Sequence, residues 1–294
     1  MKSFRMLVAA FAFFGVCARG AHPFLCCDYM GNKVAMVSAD GKIEWETTAP
    51  NPQDCWLLPN KNILICYRDG AREMTPDKKT VWEYKAGEKV EVHACQPLPD
   101  GRVLIAEGGS CRLIEVDRSG MVVKEIKIPT AQSTHEQVRG VRKTADGHYF
   151  LSLKGDHKAV ELDADGKLVR EIKVPGDIHE VIPLPNHHLL ITCGDGHKVI
   201  ELDGAEKVVW EVNENDLPNN PIRLAAGVQR LPNGNTLFCN YLGHGHLGKQ
   251  AQFVEITPDK KVVWEFHDDA QFKTINQVQL LDVPGDVTQG KIWR

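Results

Sequence analysis

The chain has 294 residues, of which 25% are charged, and a formal net charge of −4. It contains no basic run and no basic stripe interleaved with aromatics, which argues against nucleic acid as a partner. After the N-terminal segment no stretch is long and apolar enough for a membrane helix, so no membrane span is expected.

MKSFR is a basic start, and MLVAAFAFFGVC is an apolar run of signal-peptide length, too short to cross a bilayer. Ala18-Arg19-Gly20 supplies small residues for cleavage before Ala21. Residues 1–20 are therefore expected to be a signal peptide and residues 21–294 one exported domain, periplasmic or secreted. Loss of the three positive charges Lys2, Arg5 and Arg19 takes the net charge from −4 to −7.

A strand-rich unit then recurs along the chain. NKVAMVSADGKIEWE begins at Asn32, AREMTPDKKTVWEY at Ala71, CRLIEVDRSGMVVKEI at Cys111, HKAVELDADGKLVREI at His157, HKVIELDGAEKVVWEV at His197 and AQFVEITPDKKVVWEF at Ala251. These are β-branched runs broken by Asp-Gly, Pro-Asp and similar turns, the pattern of hairpins rather than helices. The outer strand is marked by Trp45, Trp82, Lys124, Arg170, Trp210 and Trp264, spaced 37, 42, 46, 40 and 54 residues apart. A repeat of roughly 40–45 residues with four strands is the period of a propeller blade, and radial stacking buries the faces that a lone sheet would expose.

There are six outer hairpins but five complete inner ones. FLCCDY near the start resembles a second strand, and INQVQLLD near the end resembles a first strand that has lost its partner. Together they make up the missing blade. The expected fold is all-β: a single six-bladed β-propeller of four-stranded blades, closed by pairing of N- and C-terminal strands. The eight cysteines after Cys17 sit within strands and read as small buried hydrophobes. A turn at Pro59–Asn62 would set Cys55 opposite Cys66, a possible disulfide. Cys26 and Cys27 should point to opposite faces.

Two stretches, ELDADGKLVREI followed by a His and LPN, and ITPDKKVVWEF preceded by LPNGNTL, resemble the repeats of arylsulfotransferase-type and PQQ-repeat-type (quinoprotein-like) propellers. Such repeats also occur in non-catalytic scaffolds such as outer-membrane assembly factors, and fold alone does not give function. Resemblance to an arylsulfotransferase implies a channel histidine that takes up a sulfuryl group. His93 or His179 would fill that role, with Arg139 stabilising the transferred oxygens. Resemblance to a quinoprotein would imply eight blades, a quinone and calcium; the repeat count and the lack of an acidic cluster disfavour PQQ.

Chain direction puts the tight turns on one face, the bottom, and the irregular loops 129–137, 213–226 and 241–250 on the other, the top. Irregular loops on a repeated scaffold are where binding sits. Aligning the inner strands on their turn proline puts Gln53, His93, Arg139, His179, Ala226 and Asn276 at equivalent positions around the channel mouth. Two imidazoles and a guanidinium on one axis suit a small anion, while a merely solvated polar ring is the plainer reading. Arg223 and Lys249 on long top loops could add charge. His244 and His246 in the glycine-rich loop could bind copper or zinc, or simply be exposed. The leading expectation is an exported binding scaffold for a small anionic ligand or a protein partner. The alternative is an arylsulfotransferase-like enzyme, and the third reading a quinoprotein-like oxidoreductase.

Overall fold

The structure is a computed structural model and describes residues 21–217 and 219–294, so the expected signal peptide lies outside the described residues. It contains six four-stranded antiparallel sheets. The innermost strands are Pro52–Leu57, Glu91–Pro97, Gly140–Lys143, Glu180–Pro183, Ala225–Arg230 and Ile275–Leu280. Each packs on the next, and Ile275–Leu280 closes back onto Pro52–Leu57, so the sheets are the blades of a six-bladed propeller. Among the described residues, no helix is long and apolar enough to cross a membrane.

One blade is shared by both ends of the chain. Its order runs Ile275–Leu280, Phe24–Asp28, Lys33–Val37, Ile43–Thr48, with Cys26 opposite Val278. We call this blade 1 and number the others in chain order. Six apolar clusters hold the ring together, each filling the space between two neighbouring blades. Cys26 joins the cluster facing blade 6 and Cys27 the one facing blade 2, as their adjacent positions in one strand require.

The recurring outer tryptophan has a local physical reason. Trp45, Trp82 and Trp210 each donate their indole N–H to a carbonyl in the outer turn of the following blade: Pro76, Asp117 and Pro258, at 3.0, 2.8 and 2.8 Å. Lys124, at the same repeat position, donates to Ala164 O at 2.5 Å. The position latches one blade to the next, and either an indole or an ammonium can do it. Arg170 instead pairs with Glu161 in its own blade.

The possible Cys55–Cys66 bridge is not compatible with the register. Leu57 pairs with Ile63, so Cys55 faces Ile65 and Cys66 faces Asp54. The connection is one residue longer than expected, with Lys61 in the left-handed region at φ 69°. A one-residue slip sends the two sulfurs to opposite faces. Cys66 lies instead beside Cys95 of blade 3, and Cys55 beside Cys27 of blade 1. All eight described cysteines are free; seven are buried and Cys111 is partly exposed. Burial pushes the Cys26, Cys27, Cys66, Cys95 and Cys239 thiols up. Iodoacetamide is accordingly expected to label Cys111 first in the native protein and the rest only in denaturant. Mass spectrometry that found Cys26 or Cys27 labelled before Cys111 would contradict this packing.

The final segment runs across the bottom of the propeller. The Arg230 N–H donates to Trp293 O at 3.0 Å, and Arg294 turns up into the channel, where it is 1% exposed. There it meets Asp54, Arg142, Glu180 and Gln277, and the channel is filled from below.

Candidate functional site

The channel mouth on the top face is built from one repeated irregularity. The inner strand of blade 2 breaks register between Pro52 and Asp54, and that of blade 3 between Val92 and Ala94. Blade 6 breaks between Ala225 and Val228, and blade 1 breaks between Ile275 and Gln277. The extra residues are Gln53, His93, Ala226-Gly227 and Asn276. A bulge of this kind re-aims a side chain. Arg139 and His179 stand just before the inner strands of blades 4 and 5, their N–H groups bonded to Ser152 O and Thr192 O at 2.9 Å.

Gln53, Arg139, His179 and Asn276 line a single cavity of about 100 Å³, with Tyr29, His135, Lys154, Asp177, Leu224, Tyr241 and His244. Arg139 is buried, and it has no carboxylate partner among the described residues. Its guanidinium donates to Nε2 of His135. The Arg139 Nε, His179 Nδ1 and Asn276 Oδ1 atoms are buried without a hydrogen-bond partner among the described residues. Burial, then the nearby Arg139 and Lys154 charges, push the His179 imidazole down to about 3, so it is neutral at physiological pH. Lys154 Nζ lies 2.6 and 2.8 Å from the two Glu136 oxygens and 3.9 Å from Asp177. Burial raises the Asp177 carboxyl.

The remaining predicted residues lie elsewhere. His93 is fully buried beside the cavity: its Nδ1 is 2.6 Å from Val138 O and its Nε2 is 3.0 Å from Glu91 Oε2. Arg223 and Lys249 are absent from the cavity wall; Lys249 Nζ donates to Gly245 O at 2.8 Å. His244 reaches the cavity rim, edge-on to Tyr241 and 3.4 Å from Asp195. His246 is not part of the wall. The one group of three metal-capable side chains among the described residues is Glu91, His93 and His135. His135, Lys154, Asp177, Tyr29 and Tyr241 were not singled out from the sequence, although His135 falls in the irregular top loop 129–137 and Tyr241 opens the loop 241–250.

Residues 107–218 match the family described as Arylsulfotransferase (ASST). This stretch is arylsulfotransferase-like. It contains His135, Arg139, Lys154, Asp177 and His179, which is most of the charged wall of the cavity. No curated protein matches the chain in sequence. Among solved structures, a protein of unknown function from Bacteroides caccae is 28% identical with a TM-score of 0.80, covering 88% of this chain and 98% of that one. Virginiamycin B lyase from Staphylococcus aureus is 13% identical with a TM-score of 0.60, covering 81% and 78%. Kuenenia stuttgartiensis hydrazine synthase is 18% identical with a TM-score of 0.58, covering 85% and 81%. The last two likenesses concern the fold alone.

Proposed function

We propose that the protein is an exported propeller that binds a small oxyanionic ligand in the cavity at the top of its channel. The observation that carries this reading is Arg139: a buried guanidinium without a carboxylate partner among the described residues, lining one cavity with a neutral His179. A buried cation of this sort is costly unless something pairs with it. At about 100 Å³ the cavity is well below the ~300–1,000 Å³ of a typical small-molecule site. It therefore suits a sulfate, phosphate or carboxylate headgroup, with the rest of the ligand lying across the top loops. Calorimetry with inorganic sulfate, phosphate and an aryl sulfate tests this. A charged hydrogen bond contributes ~1.5–3 kcal/mol, so Arg139→Ala is expected to weaken binding about 10–100-fold. No binding of any of the three by the unaltered protein would refute the reading.

A second reading, sulfuryl transfer, is favoured by the arylsulfotransferase-like stretch that spans both Arg139 and His179. The neutral imidazole of His179 would attack the sulfur of an aryl sulfate, the sulfur–oxygen bond to the arene would break, and the phenolate would leave. A second phenol, giving its proton to water, would then take the sulfuryl group from the histidine. Arg139 would stabilise the charge on the equatorial oxygens. In this reading His179→Asn abolishes release of the phenol while leaving sulfate binding measurable. Phenol release unaffected by His179→Asn would remove the histidine from the chemistry.

A further inference from the structure

We infer that Glu91, His93 and His135 form a divalent transition-metal site, best suited to zinc, on the wall between blades 3 and 4. The site lies beside the oxyanion cavity and does not depend on the reading given for it.

Hydrogen-bond bookkeeping at His93 leads to it. Val138 O can only accept, so the His93 Nδ1 at 2.6 Å carries the ring proton. Nε2 of a neutral ring is then a bare lone pair, yet it faces Glu91 Oε2 at 3.0 Å, another acceptor. The His93 side chain is fully buried, so water cannot intervene freely. Either a proton on Nε2, which would leave a cationic ring inside the wall, or a metal ion resolves this opposition, and only a metal would also use the third donor beside it. His135 brings Nδ1 to 3.0 Å from the same Glu91 oxygen, and the three donor atoms all lie within 4.8 Å of one another. Bond lengths of about 2.0–2.1 Å to zinc imply donor–donor separations of roughly 3.3 Å in a tetrahedral set, and the two separations to the Glu91 oxygen are 3.0 Å each.

The surroundings support the same assignment. The Val138 carbonyl fixes the His93 tautomer and orientation, as outer partners of metal-bound imidazoles do. Gly108 leaves the space that lets the short helix Thr134–Gln137 approach: a Cβ there would fall 2.4 Å from Thr134 O and 3.3 Å from His93 Cε1. Two imidazoles and one carboxylate select a borderline metal such as zinc rather than calcium or magnesium, which prefer oxygen. Three protein ligands leave a fourth position free.

Arg139 couples the two sites. Its guanidinium donates to His135 Nε2, which places the ring proton on Nδ1. Zinc at Nδ1 would shift that proton to Nε2, where it would oppose the guanidinium. Arg139, which already lines the cavity, would then lose that acceptor and be left to pair with a bound anion. Zinc and sulfate should therefore reinforce each other's binding.

The chain, freed of metal by chelation, is titrated with zinc by calorimetry, and its stoichiometry is read by native mass spectrometry. One equivalent is expected. His135→Ala and Glu91→Gln, at partly exposed positions whose folding is checked by thermal melts, should weaken zinc binding more than about a hundredfold. The His244→Ala/His246→Ala variant and His179→Asn should bind zinc as the unaltered chain does. Arg139→Ala should bind zinc at least as tightly while losing sulfate, so the two sites can fail independently. No stoichiometric zinc would overturn the assignment. So would zinc binding that survives His135→Ala and Glu91→Gln, or that is lost with His244 and His246.

Discussion

Arg294→Ala is expected to destabilise the propeller by about 3–5 kcal/mol, the usual cost of removing one partner of a buried ion pair. The side chain is 1% exposed in the centre of the channel. Its Nη2 donates to Asp54 Oδ1 at 3.0 Å and its Nη1 to Cys55 O at 2.8 Å, while the guanidinium stacks 4.1 Å from the Trp56 ring centroid. Arg142 completes the network, 2.7 Å from Glu180 and 3.3 Å from Asp54. Two guanidiniums thus face two carboxyl groups away from water, and burial pushes that of Glu180 up to about 7. Without Arg294 one carboxylate charge is uncompensated, and Glu180, whose carboxyl burial already raises, is penalised further. Arg294→Met keeps much of the stem packing and isolates the charge. If the deficit is electrostatic, adding Asp54→Asn to Arg294→Met should recover much of it, and a double-mutant cycle in urea measures the coupling. Additive losses would show that Arg294 acts by packing alone.

The blades were legible because their signals are local. Asp-Gly and Pro-Asn turns, β-branched runs and the outer Trp latch all repeat within one unit, and the leftover FLCCDY and INQVQLLD follow from counting them. The inner-strand alignment found the bulge position because the bulge sits at a fixed distance from the turn proline. What that alignment could not supply is the side-chain direction at each copy. At His93 the Val138 carbonyl and Glu91 hold the ring inside the wall, while His179, with a buried Nδ1 and no such partner, faces the cavity. At blade 6 the ring position is Ala226, and Leu224 and Tyr241 line the wall instead. The slip at Cys55 arose in the same way: one residue in the left-handed region at Lys61 is invisible to a pattern of apolar positions. His135 and Arg294 belong to segments without a repeat counterpart, so no internal comparison could point to them.

The repeat builds a rigid ring whose inner strands are anchored by packing between neighbouring blades, and the non-repeating pieces make it specific. Arg294 fills the channel below, the short helix Thr134–Gln137 brings His135 to Arg139, and the loop 241–250 sets His244 at the rim. Arg139 is buried in the wall above that filled floor, so its charge is little screened towards an anion in the cavity.

Asp28→Ala is expected to cost about 2–4 kcal/mol and to loosen the blade that joins the two ends of the chain. The Asp28 carboxylate is 1% exposed. Its Oδ1 accepts the N–H groups of Thr274 at 2.7 Å and Gly31 at 3.1 Å, and its Oδ2 accepts that of Lys273 at 3.0 Å. The side chain therefore ties the turn after Phe24–Asp28 to the approach of Ile275–Leu280, across the seam where no covalent connection runs. Gly31 is required for this, since a Cβ there would fall 2.0 Å from Asp28 Oδ2. Removing the carboxylate orphans the Thr274 N–H, which is fully buried, whereas Gly31 and Lys273 can turn to water. Asp28→Asn, which keeps one accepting oxygen, should lose less. Hydrogen exchange locates the effect: protection should fall first in Phe24–Asp28 and Ile275–Leu280, while the inner strands of blades 3 to 5 keep theirs. Equal loss around the whole ring would mean that the propeller unfolds only as a unit and that the seam is not its weak point.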